Sequence, residues 1–213
     1  MVDNQDEENN YNCYDDKYKI MLIGESSVGK SSILGRYIRN DYAGEYLTTL
    51  GIDFQEKLIN INDSKISLQL WDTAGQERYR NIARNYFNTS NAFIIVFDVT
   101  SIDSFDAVDY WLNQINLYAP IDVKSVIVGN KIDLLEKRKV KKMDAFEMAE
   151  KHKFKYFECS AKTGEGINDI FETLAKEIFD SNISHKKCKI LNRTISITKD
   201  DIAKTKKKKC CNN

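Results

Sequence analysis

A glycine-bounded turn at residues 24–31 carries the residue types that bind phosphate. The segment reads Gly24-Glu25-Ser26-Ser27-Val28-Gly29-Lys30-Ser31 and lies between a predicted strand and a predicted helix. The glycines let backbone N–H groups point at phosphate oxygens, and the positive end of the helix faces the same anion. Lys30 adds a point charge, and the Ser31 hydroxyl is placed to ligate magnesium. The predicted contacts to nucleotide phosphates and metal in this region are Gly24, Ser26, Ser27, Val28, Gly29, Lys30, Ser31 and Ser32.

A second polar segment, Asn130-Lys131-Ile132-Asp133, directly follows a predicted strand that ends near Val128. Taken alone, this segment is equally compatible with a surface turn, since its residue types favour loops. The phosphate loop does not distinguish ATP from GTP. The choice of nucleotide therefore depends on this second segment.

Four motifs in this order resemble those of the Ras superfamily of small GTPases, and the resemblance covers residues 18–180. They are the phosphate loop, Trp71-Asp72-Thr73-Ala74-Gly75-Gln76-Glu77, Asn130-Lys131-Ile132-Asp133 and Ser160-Ala161-Lys162. The resemblance implies the three-layer α/β fold of P-loop NTPases and a site for GTP and GDP with Mg²⁺ as cofactor.

The resemblance also implies how guanine is recognised. Asp133 would accept two hydrogen bonds from the ring N–H and the exocyclic amine, donors that adenine cannot both supply. Asn130 would orient the base edge, Lys131 would pack along the base, and the backbone N–H of Ala161 would contact the guanine oxygen. A buried carboxylate without its donors costs about 1–3 kcal/mol or more, so we expect strong rejection of adenine. The implied base site is Asn130, Lys131, Asp133, Ser160, Ala161 and Lys162.

The remaining implied residues concern metal binding and hydrolysis. Asp72 would hold magnesium through water, and Thr49 would reach the metal with its hydroxyl, so the implied metal residues are Ser31, Thr49 and Asp72. Gly75 would offer its N–H to the terminal phosphate, and Gln76 would orient the attacking water, acting in catalysis with Lys30. Tyr42 falls where an aromatic side chain flanks the base, although packing is an equal alternative for it.

Two segments, 41–54 and 75–87, would be held by contacts to the terminal phosphate and released on hydrolysis. Such switching implies a nucleotide exchange factor, a GTPase-activating protein and effectors as partners, in a protein that we expect to be a monomer without affinity for nucleic acid. Because no residue resembles a built-in arginine finger, we expect intrinsic turnover on the order of 10⁻⁴ per second.

Two other classes of function remain open at this point. One is a membrane scaffold that stays loaded with GTP, which the presence of Gln76 disfavours; a related alternative is a small GTPase of another Ras-superfamily branch. The other is an ATP-dependent kinase on the same phosphate loop, which would need a lid or substrate domain for which 213 residues leave no room.

Within the superfamily, the sequence is most similar to Rab proteins. The similarity lies in Thr49-Leu50-Gly51-Ile52-Asp53-Phe54, Leu68-Gln69-Leu70, Arg78-Tyr79-Arg80-Asn81-Ile82 and Phe97-Asp98-Val99-Thr100, where Ras and Rho proteins differ. The run Tyr86-Phe87-Asn88 departs from the usual Rab pattern of two tyrosines and an arginine. Membership would place the protein in vesicle and membrane trafficking.

The C-terminal residues resemble the double-cysteine terminus of Rab proteins. Lys206-Lys207-Lys208-Lys209 precedes Cys210 and Cys211, which would both receive geranylgeranyl groups. This implies an escort protein for prenylation, a GDP-dissociation inhibitor, and a lipid anchor on the cytosolic face of an intracellular membrane with a cytosolic pool. A solvated basic tail with unmodified thiols, or a nuclear-import signal, is the alternative.

The elements that must position these residues alternate between strand and helix from Tyr18 onward, which predicts a mostly parallel six-stranded sheet with helices on both faces and one antiparallel edge strand. The predicted strands are 18–23, 52–61, 66–71, 92–97, 125–128 and 156–158. The predicted helices are 30–39, from about 82, 104–119, 144–151 and 167–179.

Charge and cysteine usage divide the chain into three parts. Residues 1–16 are acidic and predicted to be disordered, 17–180 form the GTPase domain, and 181–213 form a basic variable tail. The N-terminus lacks the pattern of a signal peptide, and the spacing of the five cysteines suits neither a metal site nor a disulfide framework, so we expect a reducing, cytosolic environment.

Overall fold

A six-stranded sheet organises this computed structural model, which describes residues 14–42, 52–73 and 84–183. The strands lie in the order β2-β3-β1-β4-β5-β6. Strand β2 runs antiparallel to β3, and the other neighbouring pairs are parallel. The predicted fold class is therefore confirmed. The strands are β1 (Asp16–Ile23), β2 (Ile52–Ile61), β3 (Ser64–Thr73), β4 (Ala92–Asp98), β5 (Lys124–Asn130) and β6 (Lys155–Glu158).

Four α-helices lie within the described residues. They are α1 (Lys30–Arg39), α2 (Ile102–Tyr118), α3 (Lys142–Lys151) and α4, which covers residues 167–183. Short 3₁₀ turns occur at Phe87–Thr89 and Leu135–Lys137. Strand β4 is buried along its whole length, and β1 and β5 are buried from Ile20 and Ser125 onward. Because successive strand residues point to opposite faces, these central strands require cover on both sides.

The helices supply this cover from both faces. On one face, Met21 and Ile95 of the sheet join a buried cluster with Val108 of α2 and Ala145 of α3. Helix α1 packs on β3, and its Tyr37 ring stacks on Phe171 of α4 with centroids 3.8 Å apart. The parallel central strands thus end at one edge, where their carboxyl ends place the polar motifs.

Several elements begin or end differently from the predicted bounds. The link between β2 and β3 is two residues, Asn62 and Asp63, rather than four, and Asn62 adopts the left-handed φ of 52° that such tight turns favour. Helix α2 begins at Ile102 rather than 104, because the Ser101 hydroxyl accepts the Ser104 N–H at 3.3 Å and caps it. Strand β1 begins at Asp16, the last residue of the predicted acidic extension.

Other predictions fall outside the described residues, including the disorder of most of the acidic extension, the start of the helix near 82 and the tail beyond 183. The chain divides into two compact units, 1–176 and 177–213; the first contains the sheet, and the described part of the second is helical. Among the described helices, none has the length and apolar character that a membrane span requires.

Candidate nucleotide site

The phosphate loop follows β1 in a backbone conformation that needs glycine at both ends. Gly24 has a φ of 139°, and a Cβ there would overlap the backbone carbonyl of Val96 in β4. Gly29 has a φ of 99°, and a Cβ there would overlap the Asn130 side-chain amide. Gly29 is also the N-cap of α1, so the helix N-terminus opens directly onto the loop.

Lys30 lies inside this loop with only 6% of its surface exposed. Its Nζ donates to the carbonyl oxygens of Gly24 at 2.9 Å and Glu25 at 2.7 Å. Burial lowers the pKa of Lys30 to about 8, an effect that the negative charges of Asp72 and Glu25 partly offset. A buried cation held by two backbone carbonyls is suited to a polyanionic ligand, whose charge favours the ammonium form.

Ser31 and Asp72, two of the three residues predicted to hold magnesium, are in direct contact beside the loop. The Ser31 hydroxyl donates to Asp72 Oδ2 at 2.5 Å, and Asp72 is 5% exposed at the end of β3. Within the described ranges, no three His, Cys, Asp or Glu side chains form a metal cage. This sparse set of oxygen donors fits Mg²⁺, which takes one or two protein ligands and completes its shell with phosphate and water.

Asn130 joins the phosphate loop to the Ser160-Ala161-Lys162 motif. This residue is 1% exposed; its Nδ2 donates to the Val28 carbonyl at 2.8 Å, and its Oδ1 accepts from the backbone N–H of Ala161 at 3.1 Å. The Cys159 thiol also lies 3.6 Å from this oxygen, and burial raises the pKa of that thiol. Asn130 therefore braces the site, and the Ala161 N–H predicted for guanine is engaged with Asn130.

Asp133 is oriented by the same Ser160-Ala161-Lys162 motif. The Ser160 hydroxyl donates to Asp133 Oδ1 at 2.6 Å and accepts the Thr163 N–H at 3.1 Å. Ser160 is fully buried, whereas Asp133 is half-buried. A buried hydroxyl therefore holds the carboxylate while part of the Asp133 side chain stays accessible to solvent. Such a carboxylate is preorganised to accept donors from a planar base.

Lys131 makes a second contact between its own motif and the phosphate loop. Its Nζ donates to the Ser27 carbonyl at 2.8 Å and lies 2.6 Å from Asp98 Oδ2. Lys131 and Ser27 both have positive φ, 70° and 65°. Direct contacts thus join the phosphate loop, the motif at residues 130–133 and the motif at residues 160–162 into one site.

Arg36 of α1 is a site residue that no motif revealed. Its Nε and Nη2 donate to the carbonyls of Ala161 at 3.0 Å and Lys162 at 2.7 Å, and its Nη1 donates to Asn40 at 3.0 Å. The guanidinium therefore fastens the Ser160-Ala161-Lys162 motif to α1. Asp98 was also missed as a site residue, although it stands inside the Rab-like run Phe97-Asp98-Val99-Thr100.

The other predicted residues have different outcomes. Ser26, Ser27 and Ser31 are exposed at the loop, Val28 is buried and Ser32 is half-buried. Tyr42 is 41% exposed, and its backbone N–H donates to Asp41 Oδ1 at 2.7 Å. Lys162 is exposed. Thr49, Gly75, Gln76, Cys210 and Cys211 lie outside the described residues.

Two described residues, one from each predicted switch segment, form an aromatic surface with Trp71 of β3. Phe54 and Tyr86, 51% and 36% exposed, flank Trp71 with ring centroids 5.3 and 5.0 Å away. Lys19 Nζ lies 4.1 Å from the Trp71 centroid and 4.6 Å from that of Tyr86. Exposed aromatic groups of this kind are common in protein interfaces.

The sheet order, with a glycine-bounded loop between β1 and α1, defines the class of P-loop nucleoside triphosphatases. A family model described as the Ras family matches residues 19–180.

Similarity to three relatives identifies the branch of the family. It is 44% identical over 168 residues to Ras-related protein Rab-1 of Theileria parva, covering 78% of this chain and 76% of that protein. It is 42% identical over 168 residues to GTP-binding protein YPT1 of Saccharomyces cerevisiae, covering 79% and 82%. It is 39% identical over 166 residues to Ras-related protein Rab-26 of Rattus norvegicus, covering 78% and 65%. The chain belongs to the Rab branch of the Ras family and is a small GTPase.

Proposed function

We propose that this protein is a trafficking switch whose base and phosphate sites form one contiguous pocket for GTP or GDP with Mg²⁺. The observation that carries the proposal is the set of contacts that joins Asn130 to Val28, Lys131 to Ser27 and Ser160 to Asp133. These contacts couple the recognition of guanine to the cradle for phosphate. The Rab and Ypt relatives do not favour another branch or a hydrolytically silent scaffold.

Guanine selectivity comes from the acceptors of Asp133. Because Ser160 holds one carboxylate oxygen at 2.6 Å, the orientation of the group is set before the base arrives. Guanine presents two adjacent donors to it, whereas adenine leaves the carboxylate facing an acceptor. A site built to satisfy donors in this way discriminates by about 10⁴-fold or more.

Ser31, Thr49 and Asp72 would hold Mg²⁺, which offsets phosphate charge when bound. Lys30 neutralises charge that develops on the phosphates during transfer, and the amides of the loop bind the same oxygens. Gln76 orients water for attack on the terminal phosphorus, the Gly75 N–H binds an oxygen of that terminal phosphate, and GDP is the leaving group. GTP and water thus become GDP and inorganic phosphate.

Segments 41–54 and 75–87 are proposed to signal to partner proteins which nucleotide is bound. Phe54 and Tyr86 belong to these two segments, so the aromatic surface that they form with Trp71 changes when either segment is released. Effectors dock on this surface in the GTP state. An exchange factor and a GTPase-activating protein act on the same segments.

Membrane attachment is proposed to depend on Cys210 and Cys211, each bearing a geranylgeranyl group added with the help of an escort protein. Two chains give stable anchoring, and the run Lys206–Lys209 contributes about 1 kcal/mol per lysine near anionic lipid. A GDP-dissociation inhibitor would hold the lipids in the cytosolic pool.

Replacing both Cys210 and Cys211 with serine is expected to move the protein from the membrane pellet to the soluble fraction in cells that express it. Serine keeps the size of the side chain but cannot form the thioether. Cys188→Ser is the matched control and should leave the distribution unchanged. If the double variant persists in the pellet, the lipid anchor is wrong.

The experiment that tests the switch loads purified protein with radiolabelled GTP in magnesium buffer, with ATP as competitor. We expect GTP-selective retention and phosphate release over hours, on the order of 10⁻⁴ per second. Gln76→Leu should slow release at least tenfold while the nucleotide stays bound. If ATP competes with GTP, the assignment of the guanine-binding residues is wrong. If GTP stays tightly bound and no phosphate is released, the scaffold alternative is favoured.

A further inference from the structure

Asp98 places a buried carboxylate at the edge of the nucleotide site. It is the last residue of β4 and is 8% exposed. Its Oδ1 accepts the Thr100 N–H at 2.8 Å and the Thr100 hydroxyl at 2.7 Å. Its Oδ2 lies 2.6 Å from Lys131 Nζ. One oxygen thus fixes the orientation of the carboxylate, and the other binds the lysine.

Lys131 needs this anchor because its side chain is long and flexible. A lysine side chain loses up to about 2 kcal/mol of rotamer entropy when it is held in one position. Here the ammonium lies between two fixed acceptors, Asp98 Oδ2 and the Ser27 carbonyl. The ammonium group is therefore held between the end of β4 and the phosphate loop.

We propose that Asp98 is a positioning residue that acts through Lys131 to lengthen the residence time of guanine nucleotide. The inference rests on the proposed function, because it assumes that Lys131 packs along guanine. Asp98 does not touch the nucleotide in this scheme. It sets the position of Lys131 in advance, so that the ordering cost falls on folding and not on binding.

Charge supports the same assignment. The Lys131 and Asp98 side chains are 31% and 11% exposed, so the pair is screened less than a surface pair. Removing Asp98 leaves the Lys131 ammonium with a single neutral acceptor, and removing Lys131 leaves the buried Asp98 carboxylate without its cation. The two losses are therefore linked through one interaction and should not add.

The test measures dissociation of a fluorescent GDP analogue from the full chain in magnesium buffer, chased with unlabelled GDP. Asp98→Asn should release the analogue about five- to tenfold faster than wild type. Asp106→Asn, the same change at an exposed position on α2, is the matched control and should match wild type. Thr100→Val keeps the charge but removes one bond to Oδ1, and it should give a smaller acceleration.

The background variant Lys131→Met separates positioning from a purely structural role. If Asp98 acts through Lys131, then Asp98→Asn adds no further acceleration in the Lys131→Met background. Accelerations that multiply in the double variant, or an unchanged rate in Asp98→Asn, would overturn the inference. Thr100→Val gives an independent reading if Asp98→Asn does not fold, and a wild-type rate in that variant would also overturn it.

The proposed function fails in a distinguishable way. A wild-type chain that does not retain the GDP analogue contradicts the guanine site itself. A wild-type chain that retains it, with Asp98→Asn releasing at the same rate, contradicts only the role of Asp98.

Discussion

Replacing Asp133 with asparagine is expected to weaken GTP and GDP binding by about 10⁴-fold and to transfer preference to xanthine nucleotides. A carboxylate offers two acceptors, whereas asparagine offers one acceptor and one donor. The asparagine oxygen still accepts from Ser160, which holds Asp133 Oδ1 at 2.6 Å. Its amide nitrogen would then face the exocyclic amine of guanine, donor against donor. Xanthine has a carbonyl in that place and restores the pair.

The measurement is competition of GDP and xanthosine diphosphate against a fluorescent analogue on the wild type and the variant. Asp144→Asn makes the same change at an exposed residue of α3 and should keep the wild-type order. The expected result is a reversal of the order of the two affinities in Asp133→Asn alone. An unchanged order would mean that Asp133 does not read the base.

The sequence was sufficient to predict the phosphate loop because each requirement lies within a few residues. Gly24 and Gly29 are needed where the observed φ values are positive, and Lys30 is enclosed by carbonyls of its own loop. The sheet was predictable for a similar local reason. Central parallel strands buried on both faces appear as continuous apolar runs.

Contacts between distant segments were not predictable in the same way. Arg36 binds carbonyls 125 and 126 residues away, and backbone acceptors leave no mark on residue type. The Asp98 contact to Lys131 joins the ends of β4 and β5, so it depends on strand order as well as on sequence. The Asn130 bond to the Ala161 N–H likewise joins residues 31 positions apart and could not be read from either motif alone.

The capping of α2 and the turn between β2 and β3 were within reach of local rules. Ser101 precedes the helix as a typical N-cap, and Asn62-Asp63 is a typical tight turn. The predicted bounds followed apolar periodicity, which begins inside an element and not at its polar ends. The observed helix and strand boundaries are therefore set by hydrogen bonds at the polar ends. Apolar periodicity placed some of them two residues inside the true ends.

Replacing Lys30 with methionine is expected to weaken GDP and GTP binding by about 10²- to 10³-fold, because the removal of one partner from a buried charged contact costs several kcal/mol. Methionine keeps the apolar stem and fits a side chain that is 6% exposed. What it loses is the cation that faces the phosphates and the two bonds to the Gly24 and Glu25 carbonyls. Hydrolysis of any GTP that binds should slow as well, since the charge that develops in phosphoryl transfer is left without this counter-charge.

Lys30→Arg separates charge from fit in the same assay. Arginine keeps the positive charge, but the planar guanidinium is larger than the ammonium that the loop holds between carbonyls 2.9 and 2.7 Å away. We therefore expect Lys30→Arg to weaken binding as well, whereas Lys151→Met, at an exposed site on α3, should bind as wild type does. Binding by Lys30→Met within threefold of wild type would contradict the assigned contact to phosphate. Full activity of Lys30→Arg would show that the loop adapts to the cation, and that the two carbonyl contacts to Lys30 do not determine which cation the loop accepts.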